Sequence, residues 1–302
     1  MATTKTSSVP LEDQTSSLLL DLKELFKAIV LISNVLPVFA GFWAALSMAD
    51  RSFAENWPLF VLTIVGSTFV MAGALVINNW YDVDIDRIMA RTQKRPTVTG
   101  HFSLKKVLAA GIALSALGFL LLLFTTFEAT VYAFIGWFTY VFLYTMWSKR
   151  RFTLNTVIGS ISGAVTPLIG WAAVQPANHI VPVILFLVLF MWQMPHTFVI
   201  AIRKYDEYKA AKVPMLPVVY GFPMTKRQTV VYIACMLPLP FFLMSTLGLT
   251  FVVIATVLNL GFLALAISGF FENHLMKWAQ RMFLYSVNYV MLFFLLVIAV
   301  TM

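Results

Sequence analysis

A single cysteine, Cys235, occurs in the 302 residues of this chain. That excludes a disulfide within the chain and any cysteine-based metal site. Because Cys235 lies in an apolar run, it reads as a buried, inert thiol. Charge is scarce as well: Asp, Glu, Lys and Arg make up 11% of the residues, where a soluble domain carries about 25%. A soluble core does not account for a chain that is 60% hydrophobic and holds 27 phenylalanines. The opening stretch MATTKTSSVPLEDQTSS lacks the basic-then-apolar order of a secretory signal. No Asp, Glu, Lys or Arg falls near the middle of a long apolar run, so the buried ionisable groups of ion-coupled carriers are missing.

What is present is a series of apolar runs of about 20 residues, the length that crosses a bilayer core of about 30 Å. In lipid the backbone must satisfy its own hydrogen bonds, so such runs are helices. The expected fold is all-α, a polytopic membrane bundle of nine spans. They lie near residues 27–48, 58–79, 104–124, 129–147, 155–175, 180–202, 229–246, 250–271 and 281–301. Residues 1–20 read as a disordered polar tail, and residues 21–302 as one membrane domain.

The 21 Lys and Arg orient it. Placing the N-terminus in the cytoplasm puts every one of them except Arg51 on the inner side, as the positive-inside rule requires. The net charge of +8 therefore reads as loop decoration and not as a nucleic-acid surface. The two long inner loops are 80–103 and 203–228, and chemistry is expected on this cytoplasmic side.

The segment ALVINNWYDVDIDRIMARTQKRP carries Asn78, Asp82 and Asp86 at i, i+4 and i+8, one stripe of a helix continuing inward from the second span. Asp84 points roughly the other way. Two carboxylates and an amide oxygen are hard ligands of the kind Mg²⁺ takes together with substrate phosphates. The cations just downstream, Arg87, Lys94 and Arg95, suit the phosphate oxygens that a metal leaves free. Acids beside cations at a helix end also arise as plain ion pairs, so the stripe alone leaves both readings open. The second inner loop, WQMPHTFVIAIRKYDEYKAAKVPMLPVVYG, adds Lys204, Asp206 and Glu207, a second acidic pair able to face the first across a cavity. The third, YTMWSKRRFTLNT, adds Tyr144, Lys149 and Arg150. One shared anionic ligand explains acids and cations on several loops of one membrane side.

NNWYDVDID matches the Asn-x-x-x-Asp-x-x-x-Asp pattern of the UbiA-type intramembrane prenyltransferases, and the chain resembles that family from about residue 25 to its end. More narrowly, the Arg91-Thr92-x-x-Arg95-Pro96 stretch and the Pro-His followed by Lys-Tyr-Asp-Glu-Tyr resemble its haem-farnesylating branch. The resemblance implies a nine-helix bundle with a lipid-facing lateral cavity and a polar cytoplasmic cap over it. It implies transfer of the farnesyl group of farnesyl diphosphate to a vinyl carbon of haem B, with addition of water, to give haem O. Haem B would be a substrate and not a fixed prosthetic group, Mg²⁺ the cofactor, and the cell membrane the location. Haem A synthase or a terminal oxidase are the implied downstream partners. Asn78, Asp82 and Asp86 would be the first metal-diphosphate motif, and Asp206 and Glu207 the second. Many relatives place an Asp where this chain has Ala210, and another where it has Asn79.

The chemistry implied is ionisation of an allylic diphosphate to a farnesyl cation. Aromatic faces can stabilise such a cation, and Trp80, Tyr81, Tyr140, Tyr144 and Trp147 lie near the cap, where an interfacial belt would also place them. His196 is a candidate for contact with the haem iron or a propionate, beside its ordinary reading as a capping residue, and Tyr144 is a second candidate haem neighbour. The acid stripe by itself does not separate haem from a quinone precursor or a chlorophyll-like acceptor. Head-group transferases are disfavoured, because the cluster lacks the glycine that follows their Asp.

Overall fold

The computed structural model describes residues 11–302, with side chains from residue 18 onward. Every regular element among the described residues is helical. In chain order these are α1 (Leu11–Leu25), α2 (Ala28–Met48), α3 (Phe53–Tyr81), α4 (Val83–Ile88), α5 (Pro96–Thr99), α6 (Leu104–Leu123) and α7 (Phe127–Phe138). A π-helical segment, Thr139–Ser148, extends α7; α8 (Asn155–Ala164), α9 (Thr166–Ala172), α10 (Ile180–Arg203), α11 (Tyr205–Ala210) and α12 (Leu216–Met236) follow. A 3₁₀ turn at Leu239–Leu243 leads into α13 (Met244–Ser268), and α14 (Leu275–Val300) closes the chain.

Seven stretches are long and apolar enough to cross a membrane, among the described residues. One of them, Leu216–Ser268, runs 53 residues, far more than one crossing needs. It folds back on itself: Asn259 Nδ2 donates to the Met236 carbonyl at 3.0 Å and Lys226 Nζ to that of Gly269 at 2.5 Å. The reversal falls by Gly248, whose φ of 81° is the left-handed region that favours glycine. Short breaks elsewhere have local causes. Thr126 starts α7 by accepting from Ala129 N at 3.0 Å, and Ser103 starts α6 by accepting from Lys106 N at 3.4 Å.

Helices in lipid associate through close packing, since lipid tails are as apolar as leucine. Here α2 and α9 approach until a Cβ added at Gly170 would lie 1.9 Å from the Val38 carbonyl oxygen. A Cβ at Gly73, on α3, would lie 2.2 Å from Ser115 Oγ of α6. Outward faces stay apolar and uncovered, as at Phe124 and Phe127. Cys235 belongs to them. It is exposed on α12 and not buried, because in a membrane helix the lipid-facing positions are as apolar as the inward ones.

The polar tail also needs correction. Helix α1 covers its second half, while residues 1–10 lie outside the described residues. The left-handed backbone of Lys27, φ 46°, then turns the chain from α1 into α2. That turn gathers with α4, α5 and α11 and with the adjoining ends of α3, α6, α10 and α14 at one end of the bundle.

Candidate active site

The stripe at the end of α3 is real and buried. Asp82 N donates to the Asn78 carbonyl and Asp86 N to that of Asp82, each at 2.9 Å, so helical bonding carries across the α3–α4 junction. Asn78, Asp82 and Asp86 are 2%, 1% and 3% exposed. Carboxylates buried this deeply must be paired, and both are. Lys149 Nζ bonds Asp82 Oδ2, Arg95 Nη1 bonds Asp86 Oδ2 at 2.5 Å, and Lys27 Nζ donates to Asn78 Oδ1. Asn78 Nδ2 completes the set, donating to Asp82 Oδ2 at 2.7 Å and to Thr145 Oγ1 at 2.9 Å.

Local chemistry positions each cation. Thr92 Oγ1 donates to the Asp86 carbonyl at 2.8 Å, which bends the chain after α4 so that Arg95 returns to Asp86. The π-helical segment supplies Thr145 and ends with Lys149 N donating to the Tyr144 carbonyl at 2.9 Å, an i to i+5 bond. Burial pulls the Lys149 ammonium down, but the Asp82 carboxylate beside it outweighs that and the net shift is upward. Lys27 has no carboxylate partner. Burial first, and then the charges of Arg95 and Lys149, hold it well below the usual lysine value. Asp84 points away, 60% exposed in its side chain, and takes a two-pronged grip from Arg150 at 2.6 and 2.7 Å. That hydrogen bonding lowers the Asp84 pKa.

The second acidic segment lies at the same end and touches the first. Ile85 and Met89 pack with Tyr208, Val213 and Met215. Arg91 Nη2 donates to Tyr208 Oη at 3.1 Å, and Arg91 Nε lies 3.7 Å from Glu207 Oε2. Glu207 Oε1 accepts from Lys204 at 2.9 Å, while its buried Oε2 has no hydrogen-bond partner. Asp206, the neighbouring residue on a six-residue helix, is exposed. Arg87 and Lys94 are exposed too and stand off the carboxylates. Of the cations expected at the stripe, Arg95, Lys149 and Arg150 reach it.

Behind the cluster lies a cavity of about 510 Å³, walled mostly by apolar side chains. Tyr140 and Tyr144 line it with ring centroids 5.6 Å apart, and Lys149 Nζ sits 5.9 Å from the Tyr144 ring. Tyr144 therefore separates the charged end from the oily space. Ile29 and Val287 also line the cavity yet are 72% and 41% exposed, so it opens sideways between α2 and α14. Trp80, Tyr81 and Trp147 do not line it; Tyr81 instead lies under the Arg150 guanidinium at 4.9 Å.

The model of the UbiA prenyltransferase family matches residues 34–287. The chain belongs to the UbiA prenyltransferase family. It is 57% identical over 280 residues to the protoheme IX farnesyltransferase of Oceanobacillus iheyensis, covering 93% of this chain and 89% of that one. It is 51% identical over 282 residues to protoheme IX farnesyltransferase 2 of Bacillus subtilis, covering 93% and 92%. Among solved structures, a UbiA homolog from Archaeoglobus fulgidus bound to DMAPP and Mg²⁺ matches with a TM-score of 0.69 at 15% identity, over 92% of this chain and 99% of that one. A digeranylgeranylglyceryl phosphate synthase matches with a TM-score of 0.74 at 20% identity, over 94% and 98%. These two show the UbiA fold.

Within this UbiA chain the donors suit a hard cation. Asn78, Asp82, Asp86 and Glu207 offer only oxygen, without sulfur or imidazole, and Glu207 Oε2 is a buried acceptor still lacking a donor. No third His, Cys, Asp or Glu joins Asp82 and Asp86 in a metal-binding group among the described residues. Lys27, Lys149 and Arg95 hold the stripe's oxygens instead. Sequence reasoning had treated Lys27 as membrane-surface decoration and missed its place, as it missed Thr145 and the Arg91 bridge. The one available signal was that Lys27 directly precedes an apolar run.

Proposed function

We infer that this chain transfers the farnesyl group of farnesyl diphosphate to a vinyl group of haem B, with addition of water, giving haem O and diphosphate. One observation carries the reading: a buried carboxylate stripe ringed by cations closes one end of an apolar cavity that opens to lipid. An isoprenoid diphosphate has that same division, a polyanionic head and a hydrocarbon tail. The haem acceptor is supported by the names of the relatives that match over nearly the whole chain.

The membrane topology read here has nine crossings, with α8 and α9 together as one and the Leu216–Ser268 stretch as two. Residues 21–302 form one intramembrane domain. The N-terminus and the charged cap face the cytoplasm, as the positive-inside rule requires.

Asn78, Asp82, Asp86 and Glu207 would hold Mg²⁺, which when bound neutralises diphosphate charge. Lys27, Lys149, Arg150 and Arg95 hold the remaining phosphate oxygens, and the exposed Arg87 and Lys94 and the half-buried Lys204 stand at the rim, with Asp206 beyond Glu207. Cations fixed around the leaving group stabilise the charge that develops on it as the allylic C–O bond breaks. Tyr140 and Tyr144 turn ring faces to the resulting cation. The vinyl carbon then attacks, positive charge moves to the carbon beside the porphyrin, and water captures it. Haem O so formed would pass to haem A synthase or a terminal oxidase.

Purified protein in detergent, given haem B, farnesyl diphosphate and Mg²⁺, tests this by mass. The expected product is haem B carrying one added farnesyl group and one added hydroxyl, the second proton of the water being released. No gain on haem B, with transfer to a hydroxybenzoate, would reassign the acceptor.

A further inference from the structure

Four side chains form one stack beside the cavity. Trp192 and His196 of α10 lie with ring centroids 4.7 Å apart and planes 19° from parallel. Phe283 of α14 covers the other side of His196, at 5.5 Å and 27°. The Arg203 guanidinium lies over the Phe283 ring, 4.4 Å from its centroid. The three rings line the cavity, and Arg203 forms no ion pair among the described residues.

Ser286 fixes the imidazole. Its hydroxyl donates to the Phe283 carbonyl at 2.7 Å, so only lone pairs remain for His196 Nδ1 at 2.8 Å. A hydroxyl has one hydrogen, hence Nδ1 carries its own and Nε2 keeps a lone pair. No protein donor meets Nε2 among the described residues. The Ser286 carbonyl also accepts from Trp192 Nε1 at 2.8 Å, which locks the neighbouring ring. An imidazole with Nδ1–H held and Nε2 free is arranged as metal-ligating histidines are. Three nearly parallel rings present their edges as a ridge on which a flat macrocycle can lie.

We propose that this stack seats the acceptor macrocycle, with His196 Nε2 on the haem iron and Arg203 on a propionate carboxylate. The assignment rests on haem B being the acceptor. It adds an orienting function: the iron fixes the centre of the ring and the propionate fixes its rotation. Two such points fix one orientation of the ring and so which vinyl group is presented for attack. Ser286 is a positioning residue, acting through His196.

Haem B titrated into the purified full-length protein, followed by absorption, tests this without turnover. The wild type is expected to give a histidine-ligated spectrum. His196→Ala is expected to lose it and to regain it with added imidazole. Ser286→Ala keeps the imidazole but frees its tautomer, and is expected to weaken haem binding about tenfold. Arg203→Gln is expected to weaken haem B about tenfold while leaving haem dimethyl ester, whose propionates are blocked, unchanged. An unaltered spectrum in His196→Ala, or equal losses for haem and its ester in Arg203→Gln, would overturn the proposal. A wild type that binds no haem yet prenylates another acceptor would overturn the haem reading itself.

Discussion

Arg95 Nη1 lies 2.5 Å from Asp86 Oδ2, and the two side chains are only 12% and 5% exposed. A pair so withdrawn from water is costly to break on one side, because the surviving charge stays buried and unpaired. It also holds the last carboxylate of the stripe in place, nine residues from its own partner in sequence.

Asp86→Asn is expected to lower turnover at least a hundredfold and to destabilise the chain by about 3–5 kcal/mol. The double variant Asp86→Asn, Arg95→Gln removes both charges. It should recover much of the thermal midpoint and none of the turnover. Measuring both quantities through the cycle separates the structural role of the pair from its chemistry, and recovery of turnover in the double variant would remove Asp86 from the reaction.

Asp82 and Asp84 make a sharper contrast. They stand two residues apart, yet one is 1% and the other 60% exposed in its side chain. An exposed pair such as Asp84 with Arg150 contributes about 0–1 kcal/mol. Asp84→Asn should therefore stay within about twofold of wild-type turnover, while Asp82→Asn abolishes it. Initial rates of farnesyl transfer decide, and equal losses would mean that the stripe does not divide the acids as its geometry implies.

The second acidic segment divides in the same way. Glu207 Oε2 is buried and without a donor, whereas Asp206 is exposed. Glu207→Gln is expected to raise the Mg²⁺ concentration needed for half-maximal rate by about tenfold or more. Asp206→Asn should leave it unchanged. A rise in the Asp206 variant alone would exchange their roles.

Much of this arrangement was legible because it is periodic. The apolar runs and the i, i+4, i+8 stripe are properties of neighbours in sequence, and a helix converts them directly into faces and ends. Which cation returns to which carboxylate was not legible. Arg87, Lys94 and Arg95 differ little as residues, and the Thr92 turn onto the Asp86 carbonyl decides that Arg95 arrives. Lys27 comes from 51 residues away, through a left-handed turn that no local pattern announces. The runs expected near 229–246 and 250–271 join in one stretch, Leu216–Ser268, because Gly248 reverses the chain within a few residues. Cys235 shows a more general limit: in lipid, hydrophobicity does not tell inside from outside.

Lys27 offers a test in pH. Burial, with the charges of Arg95 and Lys149 next, depresses its folded pKa well below 10.5. Between those two values the unfolded chain holds one proton more than the folded chain at this site, so stability rises as pH climbs through that window towards 10.5. Lys27→Met has no such proton to lose. Thermal midpoints in detergent, taken from neutral pH upward, should climb for the wild type relative to the variant. Adding diphosphate should flatten that difference, because an anion beside the ammonium favours its charged form in the folded state. The same anion contact predicts that Lys27→Met raises the KM for farnesyl diphosphate about tenfold, by loss of a charge-assisted hydrogen bond. Parallel pH slopes in the two proteins, with an unchanged KM, would return Lys27 to the membrane-surface decoration its position in the sequence first suggests.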